Sequence, residues 1–147
     1  MIKTAKDLFT KEQKEDIRQA ILNAELDTSG EIRVHIETSS NGEVLDRAAF
    51  LFDKLGMQKT EKRNGVLFYL AVKNRRFAVI GDRAINAVVP DAFWDDLKNV
   101  QLNYFREEKF TEGLIEGISK VGTYLKKHFP YETDDVNELS DEISFGE

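Results

Sequence analysis

Residues 63–82 read RNGVLFYLAVKNRRFAVIGD and contain two apolar runs that are separated by a short basic turn. Residues 66–72 are continuously apolar, which is typical of a strand that is covered on both faces of a sheet. Residues 77–80 (FAVI) form the second run, and the turn KNRR between the runs suits only an antiparallel connection. This segment therefore predicts a hairpin whose first strand is buried on both faces.

Another strand is predicted upstream, at residues 31–37 (EIRVHIE). Every second residue is apolar, which indicates one buried face and one face in water. A helical stripe and about thirty residues separate this strand from the central one, so the two are expected to be parallel and the sheet mixed. We expect a solvated stripe of cross-strand pairs, or an edge open to a partner, at Glu31, Arg33, His35 and Glu37.

Four helices are predicted from apolar residues at helical spacing. The first begins at a capping box of Thr10 and Gln13, and the second ends at Gly56. Gly113 and Gly117 each cost about 1 kcal/mol of helix propensity, so we expect a neighbouring backbone or ring to approach them closely. The predicted buried stripes are Ile17, Ala20, Ile21 and Ala24; Val44, Leu45, Ala48, Leu51, Phe52 and Leu55; Phe93, Leu97, Val100 and Tyr104; and Leu114, Ile118, Val121 and Leu125.

The composition fits a single cytoplasmic domain. The chain has 147 residues, of which 41% are apolar, and ten Phe residues supply much of a core. It contains no Cys, which excludes disulfides, zinc–thiolate sites and thiol nucleophiles and fits a cytoplasmic location. The apolar runs are too short to predict a signal peptide or membrane insertion.

Negative charge is concentrated at the C-terminal end of the sequence. The formal net charge is −6, and residues 131–147 hold seven of the 27 acidic residues with no Lys or Arg. Residues 1–130 therefore carry +1, and we divide the chain into a domain at 1–130 and an acidic tail at 131–147 that is at best weakly ordered. No nucleic-acid partner is expected, because nucleic-acid binding requires a clustered positive field.

Common motifs of catalytic and nucleotide-binding sites are absent from the sequence. The phosphate-binding pattern GxxxxGK followed by Ser or Thr, the pattern GxGxxG and the nucleophile elbow GxSxG do not occur. His35 and His128 lie too far apart to suggest a shared dinuclear metal centre. Any chemistry would therefore depend on carboxylates, hydroxyls and a hard cation such as Ca²⁺ or Mg²⁺.

Three turns are predicted to meet at one end of the sheet, which we call the rim. The two parallel strands begin there, after residues 29 and 64, and the antiparallel strand ends there at residue 81. The rim therefore gathers polar side chains from three separate parts of the sequence. Its candidate ligand-binding residues are Ser29, Glu31, Arg63, Asn64, Asp82, Arg83 and Asn86; Asp82 and Asp91 are candidate cation ligands, and Asp27 and Thr28 lie beside them.

Two alternatives to a site at the rim remain open. Asp82 can simply cap a helical turn, and Ser29 and Asn64 can hydrogen-bond within turns. Ligands of α/β sheets also usually bind at the carboxyl ends of parallel strands, which favours the opposite end of this sheet. That end carries Thr38, Ser39, Ser40, Asn41, Lys73, Asn74, Arg75 and Arg76.

The chain resembles the TPM domain family. The similar segments are DTSGEIRVHIE at 27–37, RNGVLFYLAV at 63–72, RFAVIGD at 76–82 and YFREEKFTEGLIEGI at 104–118. The family includes thylakoid-lumen proteins of photosystem II repair, an invertebrate receptor modulator and many bacterial proteins, and this chain is similar to a compact cytoplasmic bacterial subgroup. The resemblance implies a single-domain, three-layer α/β/α sandwich with a small mixed sheet. It also implies acid phosphatase activity and divalent-cation binding, which are associated with some members.

The rim of this chain departs from the family pattern. Most members resemble Asp-Asn-Gly at the second parallel strand, where this chain has Arg63 in place of the acid. After the hairpin, the family pattern has a second glycine and an acid, where this chain has Arg83 and Asn86. A hard cation needs several oxygen ligands and is repelled by a nearby positive charge, so these changes weaken a cation site.

Two functions follow from these observations. The first is a non-catalytic module that binds a protein or peptide, with weak divalent-cation binding. The second is a cation-dependent acid phosphatase that uses the rim carboxylates. We prefer the first, because the sequence offers no identifiable nucleophile and positioning alone seldom supplies the roughly 8 kcal/mol or more that catalysis requires.

Overall fold

A four-stranded sheet forms the middle layer of the computed structural model, which describes residues 4–40, 42–131, 139, 141 and 143–146. The order of strands across the sheet is β3-β2-β1-β4. The strands are β1 (Glu31–Glu37), β2 (Gly65–Ala71), β3 (Arg76–Gly81) and β4 (Ser144–Gly146). The helices of the described residues are α1 (Lys11–Glu25), α2 (Val44–Lys54), α3 (Arg83–Asn86), α4 (Phe93–Arg106) and α5 (Phe110–His128), with 3-10 turns at Ala5–Asp7 and Met57–Lys59.

The pairing of β1, β2 and β3 confirms the prediction of a mixed sheet. β1 runs parallel to β2, with Glu31 opposite Gly65, and α2 lies in the connection between them. β2 runs antiparallel to β3, with Val66 opposite Gly81. Every residue of β2 is buried, as its continuous apolar sequence predicts for a strand with helices on both faces.

Helices cover both faces of the sheet, which confirms the three-layer α/β/α sandwich. On one face, α1, α4 and α5 pack on Ile32, Val34 and Phe68 in the larger of two apolar clusters. On the other face, α2 packs on Leu67 and Tyr69. No helix in the described parts of the chain combines the length and apolarity that a bilayer crossing requires.

Two helix boundaries match their sequence signals. The hydroxyl of Thr10 accepts a hydrogen bond from the backbone N–H of Gln13 (3.1 Å), and the Gln13 side chain accepts one from the Thr10 N–H (2.9 Å). This capping box starts α1. Gly56 follows α2 with φ +73°, a left-handed conformation that glycine adopts without the steric penalty of a Cβ.

The two glycines of α5 face α4 at very short range. A Cβ on Gly113 would lie 2.5 Å from the ring of Phe105, and a Cβ on Gly117 would lie 2.2 Å from Nε2 of Gln101. Gln101 is fully buried, and its Nε2 donates to the carbonyl of Gly113 (3.1 Å). The close approach predicted for this face is therefore confirmed, and it comes from one aromatic and one amide side chain.

The prediction of a solvated polar face on β1 is wrong. Glu31, His35 and Glu37 are buried, because β4 pairs with the edge of β1 and Arg47 of α2 covers Glu37. Alternating polar residues here belong to a buried hydrogen-bond network. The prediction for Leu45 of α2 is also wrong, since this side chain is 52% exposed and lies outside the buried stripe.

The acidic tail contributes a strand to the sheet. Ser144 lies opposite His35, and Gly146 lies opposite Glu37, in a parallel ladder. The weak order predicted for the tail therefore does not hold at residues 143–146. Apart from Leu139 and Asp141, the preceding stretch at 132–142 lies outside the described residues, as does Asn41.

Candidate functional site

The three predicted turns meet at the rim. Asn64 Nδ2 donates to the Ser29 hydroxyl (3.1 Å), which joins the turn before β2 to the turn before β1. The backbone N–H of Asp82 donates to the carbonyl of Gly65 (2.9 Å), which brings the end of β3 beside Asn64. The topology inferred from the sequence therefore places Ser29, Asn64 and Asp82 at a common edge.

An ion pair between Arg63 and Asp82 dominates the rim. Arg63 Nε lies 2.7 Å from Asp82 Oδ2, and Arg63 Nη2 lies 2.8 Å from Oδ1. Asp82 also caps α3, because its carboxylate accepts from the backbone N–H of Arg83 (2.7 Å). The Asp82 side chain is 5% exposed, and the hydrogen bonds to it raise the pKa of Arg63. Both oxygens of this carboxylate are thus already engaged by protein donors.

Tail residues cross the rim beside Glu31 and Glu25. Glu31 Oε1 accepts from the backbone N–H of Leu139 (2.5 Å), and Glu25 Oε2 accepts from the N–H of Ile32 (2.8 Å). Burial raises the pKa of Glu25 to about 9, and a hydrogen bond with the Asp141 carboxyl raises it further. At neutral pH, Glu25 is therefore protonated where the tail packs against it.

The remaining rim candidates differ in their surroundings. Asn86 Nδ2 donates to the carbonyl of Gly81 (2.9 Å), and Asn86 Oδ1 accepts from the Trp94 indole N–H (2.8 Å). Arg83 and Asp91 are exposed. In the described residues, no three His, Asp or Glu side chains are grouped so that they could hold a metal ion.

A cleft with a volume of about 260 Å³ lies along the outer edge of β3. It spans the gap between α2 on one face of the sheet and α4 on the other. Trp94 packs directly over Gly81 at one end, where a Cβ would lie 2.4 Å from the indole ring. The residues that line this β3 cleft are Leu45, Ala78, Val79, Ile80, Gly81, Asn86, Trp94, Asp95 and Lys98.

The backbone of β3 presents hydrogen-bonding groups to this cleft. Hydrogen-bonded and non-bonded pairs alternate in an antiparallel ladder, and the Asp82–Gly65 pair is a bonded one. Phe77, Val79 and Gly81 therefore direct their N–H and C=O groups away from β2. No strand of the described chain pairs with that side of β3.

A buried polar cluster lies at the other edge of the sheet, under β4. Glu37 accepts from Arg47 Nε (3.0 Å), from Arg47 Nη2 (2.6 Å) and from the Tyr69 hydroxyl (2.5 Å). His35 Nδ1 lies 2.7 Å from the Ser144 hydroxyl, and His35 Nε2 lies 3.5 Å from Glu37 Oε2. Burial lowers the pKa of His35, and hydrogen bonds from Arg47 and Tyr69 outweigh burial to lower that of Glu37.

Sequence reasoning missed this cluster. Its members were assigned to a solvated stripe, and the available signal was the register that places His35 opposite Tyr69 on the neighbouring strand. At the opposite end of the sheet from the rim, Asn74 Oδ1 accepts from the backbone N–H of Ser40 (2.6 Å), and Arg76 donates to the carbonyl of Gly42 (3.2 Å). Those polar residues therefore hold two turns together.

Comparison with known proteins identifies the family. A family model described as the TPM domain matches residues 2–124. The chain belongs to the TPM domain family. The solved NMR structure of the BA42 protein from the psychrophilic bacterium Bizionia argentinensis is similar to it, with 46% sequence identity, a TM-score of 0.86 and coverage of 94% of this chain and 95% of that one. None of the curated proteins matches the sequence.

Two more distant solved domains share the TPM fold. The N-terminal domain of a protein from P. gingivalis is 21% identical, with a TM-score of 0.72, and the alignment covers 86% of this chain and 83% of that one. The N-terminal domain of the cg2496 protein from Corynebacterium glutamicum is 15% identical, with a TM-score of 0.65 and coverage of 88% and 81%. At this identity the likeness establishes the fold alone.

Proposed function

We propose that this TPM domain is a non-catalytic binding module that takes an extended peptide along the outer edge of β3. The observation that carries the proposal is the coincidence of an unpaired strand edge with an open cleft. Backbone donors and acceptors at Val79 face this cleft, and an extended peptide satisfies them by adding a strand to the sheet. Strand addition supplies affinity from the main chain, and pockets for alternate side chains supply specificity.

The walls of the β3 cleft favour a peptide with an apolar anchor. Leu45 is 52% exposed on one wall and Trp94 is half-buried on the other, so an apolar side chain between them removes both from water. Aromatic residues are common anchors at protein interfaces because they bury a large area at little entropic cost. Asp95 and Lys98 lie side by side on the α4 wall and offer one partner of each charge to the peptide.

The sheet already accepts a short added strand at its other edge. The three residues of β4 pair with β1 in the way that we propose for a peptide at β3. Since β3 is the remaining edge, an added strand there would extend a sheet that is otherwise closed.

The rim supports binding in preference to phosphatase chemistry. The Asp82 carboxylate is neutralised by Arg63 through two hydrogen bonds, so a metal ion would have to compete with a guanidinium for both oxygens. The Ser29 hydroxyl accepts from Asn64, and neither side chain is paired there with a general base in the contacts that the structure gives. We infer that divalent cations bind weakly at the rim and that the domain does not turn over phosphate esters.

Peptide selection with two matched variants tests the proposal. Peptides of twelve residues are selected from a phage-displayed random library on the full chain, and their affinities are measured by fluorescence anisotropy. Leu45→Asp should weaken binding at least roughly tenfold, while Phe50→Asp should leave it within about twofold. The two residues lie on the same helix and are 52% and 53% exposed, but Phe50 lies outside the cleft.

Three results would contradict this assignment. They are a failure to enrich any peptide, equal losses in the two variants, and turnover of p-nitrophenyl phosphate in the presence of Mg²⁺ or Ca²⁺ that Asp82→Asn abolishes. The last result would instead assign the rim to catalysis.

A further inference from the structure

The edge of β1 is occupied by the chain's own C-terminal strand, and the contacts are specific at each position. Ser144, Phe145 and Gly146 lie opposite His35, Ile36 and Glu37 in a parallel ladder. The backbone N–H of Thr38 donates to the carbonyl of Gly146 (3.2 Å), which fixes the end of the strand. We examined what each of these three side-chain positions requires.

The first position requires a small hydroxyl. The Ser144 hydroxyl lies 2.7 Å from His35 Nδ1 and 3.3 Å from the carbonyl of Val34. A hydroxyl can hydrogen-bond with both groups, because it is one donor and also an acceptor. Replacing it with a methyl group would leave the Nδ1 atom of a buried histidine without this partner.

The second position takes an aromatic ring. Phe145 is half-buried and packs against the larger apolar cluster, beneath the sheet face that α1 covers. Lys14 of α1 places its Nζ 5.0 Å from the ring centroid, a cation–π arrangement. A polar side chain here would lose both the apolar contact and the cation.

The third position excludes every side chain. A Cβ on Gly146 would lie 2.9 Å from Glu37 Oε2 and 3.1 Å from His35 Nε2. Glu37 cannot move aside without breaking its hydrogen bonds with Arg47 and Tyr69. The buried polar cluster therefore makes a wall that only glycine can approach.

We propose that the edge of β1 is a binding site for an extended segment of another protein with the pattern Ser or Thr, then an aromatic residue, then Gly. The tail of this chain is an internal competitor for that site. The three positions recognise hydroxyl, ring and absent side chain separately, so recognition depends on the chemistry of the segment and is independent of its attachment to this chain. This inference concerns the opposite edge of the sheet from the β3 cleft and does not rest on the function proposed there.

The tether determines how the competition works. A short flexible connection gives a bound segment an effective concentration of the order of millimolar. A free peptide at micromolar concentration therefore cannot displace β4 from the wild-type chain. β4 has only three residues and each is half-buried, so a single unfavourable contact is enough to release it.

Two variants of the full chain release the strand and so expose the site. Gly146→Ala puts a methyl group against Glu37, and Phe145→Asp removes the ring contact. The probe is the acetylated peptide Ile-Ser-Phe-Gly-Glu, whose sequence is that of residues 143–147. The readouts are amide hydrogen exchange at Thr38 and backbone chemical shifts of β1 during peptide titration.

We expect the Thr38 amide to lose protection in both variants, and the peptide to bind each of them at least roughly tenfold more tightly than the wild type. The peptide with Ala in place of Gly should not bind. Continued protection of Thr38 in both variants, no peptide binding to a released variant, or equal binding of the Ala peptide would each overturn the proposal. A wild-type dimer that Phe145→Asp abolishes would overturn it too, because it would assign the site to the tail of a second copy.

Discussion

Arg63 and Asp82 form a two-point ion pair at the rim, with Nε–Oδ2 and Nη2–Oδ1 distances of 2.7 and 2.8 Å. Arg63 stands where most family members resemble an acidic residue. The Asp82 side chain is 5% exposed and that of Arg63 is 31% exposed, so the burden of burial falls on the carboxylate. The guanidinium therefore supplies, from within the chain, the positive charge that a bound cation would otherwise bring to this position.

Removal of the two partners should have unequal effects on stability. Arg63→Gln leaves a buried carboxylate with its charge unpaired, whereas Asp82→Asn leaves an arginine that water can reach and retains an oxygen to cap α3. We expect Arg63→Gln to lower the urea midpoint by roughly twice as much as Asp82→Asn. Equal losses, or a larger loss for Asp82→Asn, would show that the cap matters more than the charge.

Arg63→Asp should create a cation site. The substitution places a second carboxylate beside Asp82 and removes the competing guanidinium. Hard cations prefer several carboxylate oxygens, so Ca²⁺ should raise the thermal midpoint of this variant at millimolar concentration. The wild type should show a much smaller change under the same conditions, and a similar response of the two proteins would contradict the role given to Arg63.

Glu25 should make stability depend on pH. Its folded pKa of about 9 lies above the unfolded value, so its contribution is fully present below pH ~4.5 and is lost as pH rises toward 9. Glu25→Gln stays neutral at every pH, so its free energy of unfolding should gain on that of the wild type between pH 6 and 8. The gain should reach at most about 1.4 kcal/mol per pH unit.

The control for Glu25 is Asp16→Asn, at an exposed position of the same helix. Urea unfolding at a series of pH values measures both variants against the wild type. A difference between Glu25→Gln and the wild type that stays constant over this range would contradict the protonated Glu25 described at the rim.

Gly117→Ala should destabilise the protein although alanine favours helices. The new methyl group would lie 2.2 Å from Nε2 of the fully buried Gln101, whose hydrogen bond to Gly113 holds it in place. Overpacking costs about 1–3 kcal/mol and the gain in helix propensity is about 1 kcal/mol. A net loss should appear in urea unfolding, and Gln101→Ala should relieve part of it in the double variant.

The hairpin at residues 63–82 carried most of the fold, because its signals are local. Continuous apolarity predicts a strand buried on both faces, and four turn residues permit only an antiparallel return. The capping box at Thr10 and the close approach at Gly117 were also predictable, since each depends on residues near in sequence or on a cost that demands a reason.

The polar cluster under β4 could not be predicted in this way. The partner of His35 is Ser144, which lies 109 residues further along the chain, and no local pattern reveals that pairing. An alternating strand is the same in sequence whether water or another strand covers its polar face. Leu45 illustrates the same limit, because its spacing matches that of its buried neighbours while its position faces the β3 cleft.

Amide hydrogen exchange at Val79 tests the central claim most directly. The alternation of the β2–β3 ladder leaves the Val79 N–H facing the cleft without a strand partner in the described chain. When a selected peptide saturates the domain, this amide should exchange at least roughly tenfold more slowly, because it gains a hydrogen bond from the added strand. Unchanged exchange at Val79, together with shifts at Ser29, Asn64 and Asp82, would place the binding site at the rim and contradict the account.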